Sequence, residues 1–388
     1  MKKAPLLPLL FCALLLSGCW DRREIEELKF ITVMGVDRVP GNKVLLSFQV
    51  INTDQLTSSQ RQGSSAGGEL YYLVTVRGRN LYEAFHNYFT RKHGRRGIFS
   101  HLQAVMIGEE FARHGMPEYL DWLTRDREIS VGTEAFLVKG QAYELMKIKP
   151  PQERLSGSYL EGLAERTADV GLAPNVDIPQ MMILFTTPGR DALLPRLEKA
   201  KLDVKGDEKK NETLQLNGAG VFRGGNLCGW LSTQQTRGYL WLKEEFRDPM
   251  AVVVPNEGRR VSVDVHGVTA EIKPRVSGNK VSISVEVSAS GEILEVFGPG
   301  QKVDEAFFLK VGGLLAQEIK KEITDTIAIA QNLGSDFIGF GELVRGTVSA
   351  EQWKAMDWRR QFSRVPIKVK VAGRIRRSGV AIEHLTAR

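Results

Sequence analysis

Several segments of the chain alternate hydrophobic with polar residues, and this period of two predicts β-strands. In residues 281–288, valine or isoleucine occupies every second position, with serine or glutamate between. Because successive side chains of a strand point to opposite faces, this pattern indicates a strand with one buried and one exposed face. Residues 29–39 and 43–51 are rich in β-branched residues, and the Pro-Gly-Asn sequence at 40–42 predicts a turn that joins them into a hairpin.

Other segments repeat apolar residues every three or four positions, which predicts helices. The longest extends from about residue 304 to residue 331 and would be about 40 Å long at 1.5 Å per residue. Seven apolar residues form its stripe: Phe307, Val311, Leu314, Leu315, Ile319, Ile323 and Ile327. Gly312 and Gly313 lie inside it and predict a bend or a close approach by another element. A shorter helix follows Asn80, whose side chain can cap it.

The N-terminal half mixes the two patterns. Residues 102–108 and 129–138 are typical of strands, 109–126 and 141–148 are typical of helices, and 155–187 indicate mainly helix. This alternation predicts an α/β or mixed arrangement.

The C-terminal half predicts two strands in 213–232, a helix in 233–246, a β meander in 258–296, a helical segment in 349–362 and a closing strand in 365–377. The predicted fold class is therefore α+β. It is a multidomain mixed α/β architecture with antiparallel or mixed sheets and a long helix near the C-terminus.

A chain of this length is too long for one core and indicates two or three domains. Residues 205–212 are charged and lack large apolar side chains, as in a linker or a solvated hairpin tip. We therefore predict an N-terminal α/β region over 19–204 and a C-terminal α+β region over 213–388. A subdivision of these regions would give three domains.

The first residues predict an export signal. Lys2 and Lys3 precede an apolar stretch over 4–16, which Pro5 and Pro8 interrupt. A transmembrane helix needs about 20 apolar residues, so this stretch is too short to span a bilayer. A positive start, a short apolar centre and small residues at the end are typical of a secretory signal peptide.

The sequence Leu-Ser-Gly-Cys at 16–19 resembles the lipobox of bacterial lipoproteins. That resemblance implies removal of residues 1–18 as a lipoprotein signal peptide and attachment of a diacylglycerol and an N-acyl lipid to Cys19. Two or three acyl chains would hold the protein stably at a membrane, whereas one chain holds weakly. The alternatives are an ordinary signal peptide that contains a cysteine and a cytosolic protein with an apolar first helix.

Composition and motifs argue against nucleic-acid binding, against common catalytic motifs and against a metal site. The formal charge is +7; without Lys2 and Lys3, 51 basic and 46 acidic side chains leave +5, which is mild and does not indicate nucleic-acid binding. The chain contains no G-x-S-x-G, H-E-x-x-H or P-loop motif. The spacing of His86, His93 and His101 fits no usual metal motif. We therefore expect no catalytic residue, no metal and no other cofactor.

One charged segment is distinctive, because residues 359–377 contain no acid. Its basic residues are Arg359, Arg360, Arg364, Lys368, Lys370, Arg374, Arg376 and Arg377. One interpretation is a solvated face that guards an edge strand from unwanted pairing. The other is contact with anionic lipid headgroups or an acidic partner, which would orient a tethered protein at a membrane surface.

Four segments together resemble the Ger(x)C lipoproteins, the C subunits of spore germinant receptors. They are residues 18–37, 102–129, 218–242 and 336–362. The resemblance implies a non-enzymatic, lipid-anchored subunit on the outer face of the inner spore membrane, acting beside membrane-embedded A and B subunits that respond to nutrients. It also implies a mixed α/β fold in several domains with a long helix near the C-terminus. Cys19 is the only site residue that it supplies.

Two other functions compete with this interpretation. A lipoprotein substrate-binding component of a nutrient uptake system would need two similar α/β lobes around a cleft. The strand-rich segment at about 259–296 argues against such lobes. A secreted hydrolase is disfavoured because its motifs are missing.

Overall fold

The computed structural model describes residues 28–52, 69–88, 96–125, 129–151, 155–202, 211–244, 250–256, 259–278, 280–297 and 304–376. In these residues, helices pack against one sheet of nine strands and another of four. The predicted α+β class, the mixed sheets and the long C-terminal helix are confirmed.

The larger sheet combines parallel strands at its centre with antiparallel strands on both sides. Its strands are β1 (Leu28–Val39), β2 (Lys43–Ile51), β3 (Tyr71–Gly78), β4 (Arg96–Ile98), β5 (Ala104–Gly108), β6 (Glu134–Val138), β7 (Leu193–Lys201), β8 (Glu212–Arg223) and β9 (Asn226–Leu231). Their order is β3-β2-β1-β5-β6-β7-β8-β9, and β4 pairs with β1. The predicted β1–β2 hairpin is confirmed, and Gly41 and Asn42 in its turn have positive φ angles.

Six described helices accompany this sheet: α1 (Leu81–Asn87), α2 (Glu109–His114), α3 (Met116–Arg125), α4 (Ala142–Met146), α5 (Ser156–Asp169) and α6 (Ile178–Thr186). Asn80 caps α1 as predicted, and its side chain accepts a hydrogen bond from the backbone N–H of Glu83. The helical segment predicted over 109–126 forms two helices, because the chain breaks at Gly115. Pro117 has no backbone N–H and is accommodated in the first turn of α3, where none is needed.

The smaller sheet consists of β10 (Met250–Asn256), β11 (Arg259–Ser277), β12 (Lys280–Phe297) and β13 (Ile367–Ile375), in that order. The first three strands are antiparallel, and β13 pairs with β12 in parallel. The accompanying helices are α7 (Thr233–Lys243), α8 (Glu305–Leu333), α9 (Phe340–Arg345), α10 (Ala350–Ala355) and α11 (Trp358–Phe362). The predicted helical segment 349–362 therefore forms two short helices.

The long helix α8 buries the predicted apolar stripe against the smaller sheet. Val311, Leu315 and Ile319 are fully buried in a core that also contains Val285 of β12. The close approach predicted for Gly312 is confirmed, because a Cβ there would lie 2.8 Å from the carbonyl oxygen of Gly373 in β13. A Cβ at the neighbouring Gly313 would meet no atom within 4 Å.

The two sheets share one hydrophobic cluster. Leu193 of β7 and Val221 of β8 are buried in the same cluster as Val263 of β11 and Ile323 of α8. The predicted boundary between 204 and 213 falls between β7 and β8, which pair in the larger sheet. Strands β8 and β9 therefore lie with the N-terminal strands, and the division into domains itself stays a prediction. No helix in the described ranges is long and apolar enough to span a membrane.

Candidate functional site

The predicted lipid-attachment site lies outside the described residues. This holds for Cys19, for the signal peptide over 1–18 and, at the other end of the chain, for Arg377. Their predicted roles therefore rest on the sequence.

The structure divides the remaining predicted basic residues into two groups. Arg359 and Arg360 lie in α11, and Arg364 lies in the turn that follows it; Lys368, Lys370 and Arg374 lie in β13, with Arg376 directly after. The three strand residues are exposed and alternate with half-buried ones, so they share one face as the sequence pattern predicts.

Strand β13 forms an edge of the smaller sheet, and a glutamate of β12 partly neutralises its exposed basic face. Lys370 Nζ lies 2.9 Å from Glu286 Oε1 on the neighbouring strand. The hydrogen bond from Lys370 lowers the pKa of Glu286 below its ordinary value. Exposed ion pairs of this kind contribute little stability, so this pair defines no site by itself.

Sequence reasoning missed a buried carboxylate that organises the chain after α8. Asp336 is 4% exposed. Its Oδ1 accepts hydrogen bonds from the backbone N–H groups of Gly339 and Phe340 at 2.9 and 3.0 Å. Its Oδ2 accepts from the Gly341 N–H at 2.6 Å and from Trp358 Nε1 at 2.9 Å. The carboxylate therefore fixes the start of α9 and attaches α11 to it.

Burial and hydrogen bonding act in opposite directions on this group. Burial raises the pKa of Asp336 to about 6, although the four hydrogen bonds favour the ionised form and lower it. A signal for this arrangement exists in the sequence, because Asp336 is followed by Gly339 and Gly341. Glycines allow backbone N–H groups to converge on an anion. A Cβ at Gly341 would lie 2.5 Å from the carbonyl oxygen of Gly189, so this approach requires glycine.

A second aspartate connects this segment to the larger sheet. Asp191 lies just before β7, and its Oδ1 accepts a hydrogen bond from the N–H of Gly224, in the β8–β9 turn, at 2.9 Å. Its Oδ2 accepts from the Asp336 N–H at 3.0 Å, and its own N–H donates to the Asp336 carbonyl at 2.9 Å. The two aspartates therefore join the larger sheet to the segment between α8 and α9.

A cavity of about 350 Å³ lies beside this pair; we call it the junction cavity. Trp353, Met356, Trp358 and Phe362 supply its apolar wall. The ring centroids of Trp353 and Trp358 are 6.3 Å apart, and those of Trp358 and Phe362 are 5.9 Å apart. The rings therefore form a continuous surface from α10 to α11.

Three cations line the same cavity: Arg190, Lys354 and Arg359. Arg359 Nη2 lies 3.6 Å from Asp191 Oδ1, which is beyond a normal hydrogen bond. Arg190 Nη1 lies 3.4 Å from Glu342 Oε2, while its buried Nε has no hydrogen-bond partner among the described residues. The sequence grouped Arg359 with the basic strand, but the structure places it at this cavity.

Nothing in the described ranges resembles a metal centre. No group of three or more His, Cys, Asp or Glu side chains there is arranged to hold an ion. His86 stacks on Tyr82 and His101 contacts the ring of Phe30 edge-on, while His93 lies outside the described residues.

Two family models match this chain, one in each half. Residues 21–199 match the spore germination protein N-terminal domain, and residues 217–379 match the C-terminal model described as spore germination B3/GerAC like. The chain belongs to the GerAC-like family of spore germination proteins. The expected family is thereby confirmed, and with it a role in spore germination.

Relatives of this GerAC-like chain align with it along most of its length. Spore germination protein KC of Bacillus subtilis (strain 168) is 27% identical over 390 residues, which cover 96% of this chain and 95% of that protein. Spore germination protein B3 of the same organism is 21% identical over 333 residues, which cover 83% of this chain and 83% of that protein. The crystal structure of the GerBC protein matches with a TM-score of 0.57 at 14% identity, covering 89% of this chain and 97% of that chain. At this identity the likeness establishes the fold.

Proposed function

We propose that this chain is the lipid-anchored, non-enzymatic C subunit of a nutrient germinant receptor. It is attached through Cys19 to the outer face of the inner spore membrane and acts with membrane-spanning A and B subunits. The observation that supports this most strongly is the alignment with a spore germination protein over 96% of the chain. The lipobox-like sequence at 16–19 supports the mode of attachment.

Simple energetics support two acyl chains as the anchor. Each buried CH₂ of an acyl chain contributes about 0.8 kcal/mol, and stable attachment needs two such chains or a second signal. A diacylglycerol on the Cys19 thiol supplies both chains at one point. The exposed basic face of β13, with Lys368, Lys370 and Arg374, would then orient the body over anionic headgroups.

A binding role agrees with the chemistry of the buried carboxylates. The oxygens of Asp336 and Asp191 already accept backbone N–H donors. Groups held in this way position the chain rather than transfer protons to a substrate.

Metabolic labelling tests the anchor. Spore-forming cells that express Cys19→Ala should accumulate an uncleaved precursor without radioactive palmitate. Cys228→Ala is the matched control, because it removes the other cysteine outside the signal peptide and should leave labelling and cleavage unchanged. A Cys19→Ala protein that is still labelled and cleaved would contradict the anchor.

Receptor assembly is tested separately. A tagged chain purified from spore membranes should bring A and B subunits with it. Deletion in a strain without other nutrient receptors should abolish germination with one class of nutrient and leave vegetative growth unchanged. Normal germination with every nutrient tested in that strain would refute the receptor role, whereas impaired uptake during growth would support a substrate-binding component.

A further inference from the structure

We propose that the junction cavity binds a small carboxylate that carries an apolar side chain. This assignment goes beyond the proposed function, since it depends neither on the lipid anchor nor on the partner subunits.

The size and wall of the cavity fit such a ligand. Its volume of about 350 Å³ is near the lower end of the range for small-molecule sites, roughly 300–1,000 Å³. Trp353 is half-buried, whereas Trp358 and Phe362 behind it are buried. An apolar side chain placed against Trp353 would cover aromatic surface that water now reaches.

Three cations and three aspartates line the cavity, and the cations are the groups that it leaves available to a ligand. The four carboxylate oxygens of Asp191 and Asp336 each accept at least one backbone N–H group, and Asp357 Oδ1 accepts the Arg360 N–H at 3.3 Å. The cations are less engaged. Arg359 is 63% exposed and its ionic contact is 3.6 Å long, and no described carboxylate pairs with Lys354.

A guanidinium presents several N–H donors in one plane, which matches the two oxygens of a carboxylate. Arg190 Nε is buried and has no acceptor among the described residues, and Arg190 Nη1 lies 3.4 Å from Glu342 Oε2. Arg359 and Arg190 both line the cavity and come from different elements, one from α11 and the other from the segment before β7. A carboxylate bound between them would accept hydrogen bonds from both guanidinium groups, and its apolar part would lie against Trp353.

Isothermal titration calorimetry on the full chain in detergent tests this assignment. The probes are L-leucine, 4-methylpentanoate and L-leucinol, which share one apolar group and differ in the carboxylate and the ammonium. We expect saturable heat for both carboxylates below about 10 mM and none for L-leucinol. Equal binding of L-leucinol and L-leucine, or no binding of either carboxylate, would overturn the proposal.

Paired variants locate the site. Arg359→Gln should weaken carboxylate binding about tenfold or more, because it removes charge-assisted hydrogen bonds. Arg360→Gln, its neighbour in α11 that does not line the cavity, should leave binding within about twofold. Lys354→Gln gives a second, exposed substitution with an intermediate loss expected. Equal affinities for the Arg359 and Arg360 variants would place the ligand elsewhere, and circular dichroism of each variant confirms that it is folded.

Discussion

Replacement of Asp336 by alanine tests whether the buried junction stabilises the fold. The side chain is 4% exposed, and its two oxygens accept hydrogen bonds from three backbone N–H groups and the Trp358 indole. Alanine leaves all four donors without this acceptor. A buried donor left unsatisfied costs about 1–3 kcal/mol, so four donors correspond to about 4–12 kcal/mol before any relaxation.

Two effects reduce this loss. Burial raises the pKa of Asp336 from 3.8 to about 6, which corresponds to a cost of about 3 kcal/mol for holding the ionised form at neutral pH. Alanine removes that cost. The junction cavity also lies beside this carboxylate, so water can reach part of the vacated site. We therefore expect a net destabilisation of about 3–5 kcal/mol.

Urea and thermal unfolding, followed by circular dichroism at pH 7, measure this difference. Asp357→Ala is the matched control, because that side chain is exposed and caps α11 through one hydrogen bond of 3.3 Å. The control should lose about 1 kcal/mol or less. An Asp336→Ala protein within 1 kcal/mol of the natural chain, or no less stable than the control, would show that burial cancels the hydrogen bonds.

Three further predictions concern the protonation of Asp336, the glycine pair in α8 and the buried partner of Arg237. The folded-state pKa of Asp336 lies above the ordinary 3.8. The stability that its proton contributes is therefore fully present below about pH 4 and is lost as pH rises through about 6. In urea titrations, the difference in unfolding free energy between the natural chain and Asp336→Ala should shrink as pH rises from about 4 to about 6. Gly312→Ala should destabilise the chain by about 2 kcal/mol through overpacking against Gly373, whereas Gly313→Ala, in open space, should stabilise α8 by up to about 1 kcal/mol. Glu322→Gln should cost about 3 kcal/mol, because it leaves the Arg237 guanidinium without its buried partner; an unchanged urea midpoint would contradict this.

Local patterns predicted the elements whose causes are local. The β1–β2 hairpin depends on its own turn residues, and the length of α8 follows from its apolar stripe between the Asp304 cap and Gly334. The α2–α3 break was missed because apolar spacing continues across Gly115, although Pro117 already marked it. Residues 205–212 allowed either a linker or a solvated hairpin tip, and the antiparallel pairing of β7 with β8 agrees with the hairpin.

The junction escaped prediction because its residues are far apart in the sequence. Asp191 and Asp336 are 145 residues apart, and neither lies in a charged cluster. Charge counting also grouped all the basic residues at 359–377 together. The fold separates them, so that Arg359 lines the cavity while Lys370 pairs with Glu286 on the open sheet.

The position of the junction gives the proposed ligand a physical consequence. Arg190 precedes β7 in the segment matched by the N-terminal family model, and Arg359 lies in the segment matched by the C-terminal model. A ligand that contacts both side chains binds only when the two regions are packed together. Mass action then stabilises that packing, by about 2.7 kcal/mol at a ligand concentration one hundred times the dissociation constant. A small molecule at this cavity would thus change how firmly the two sheets are held together.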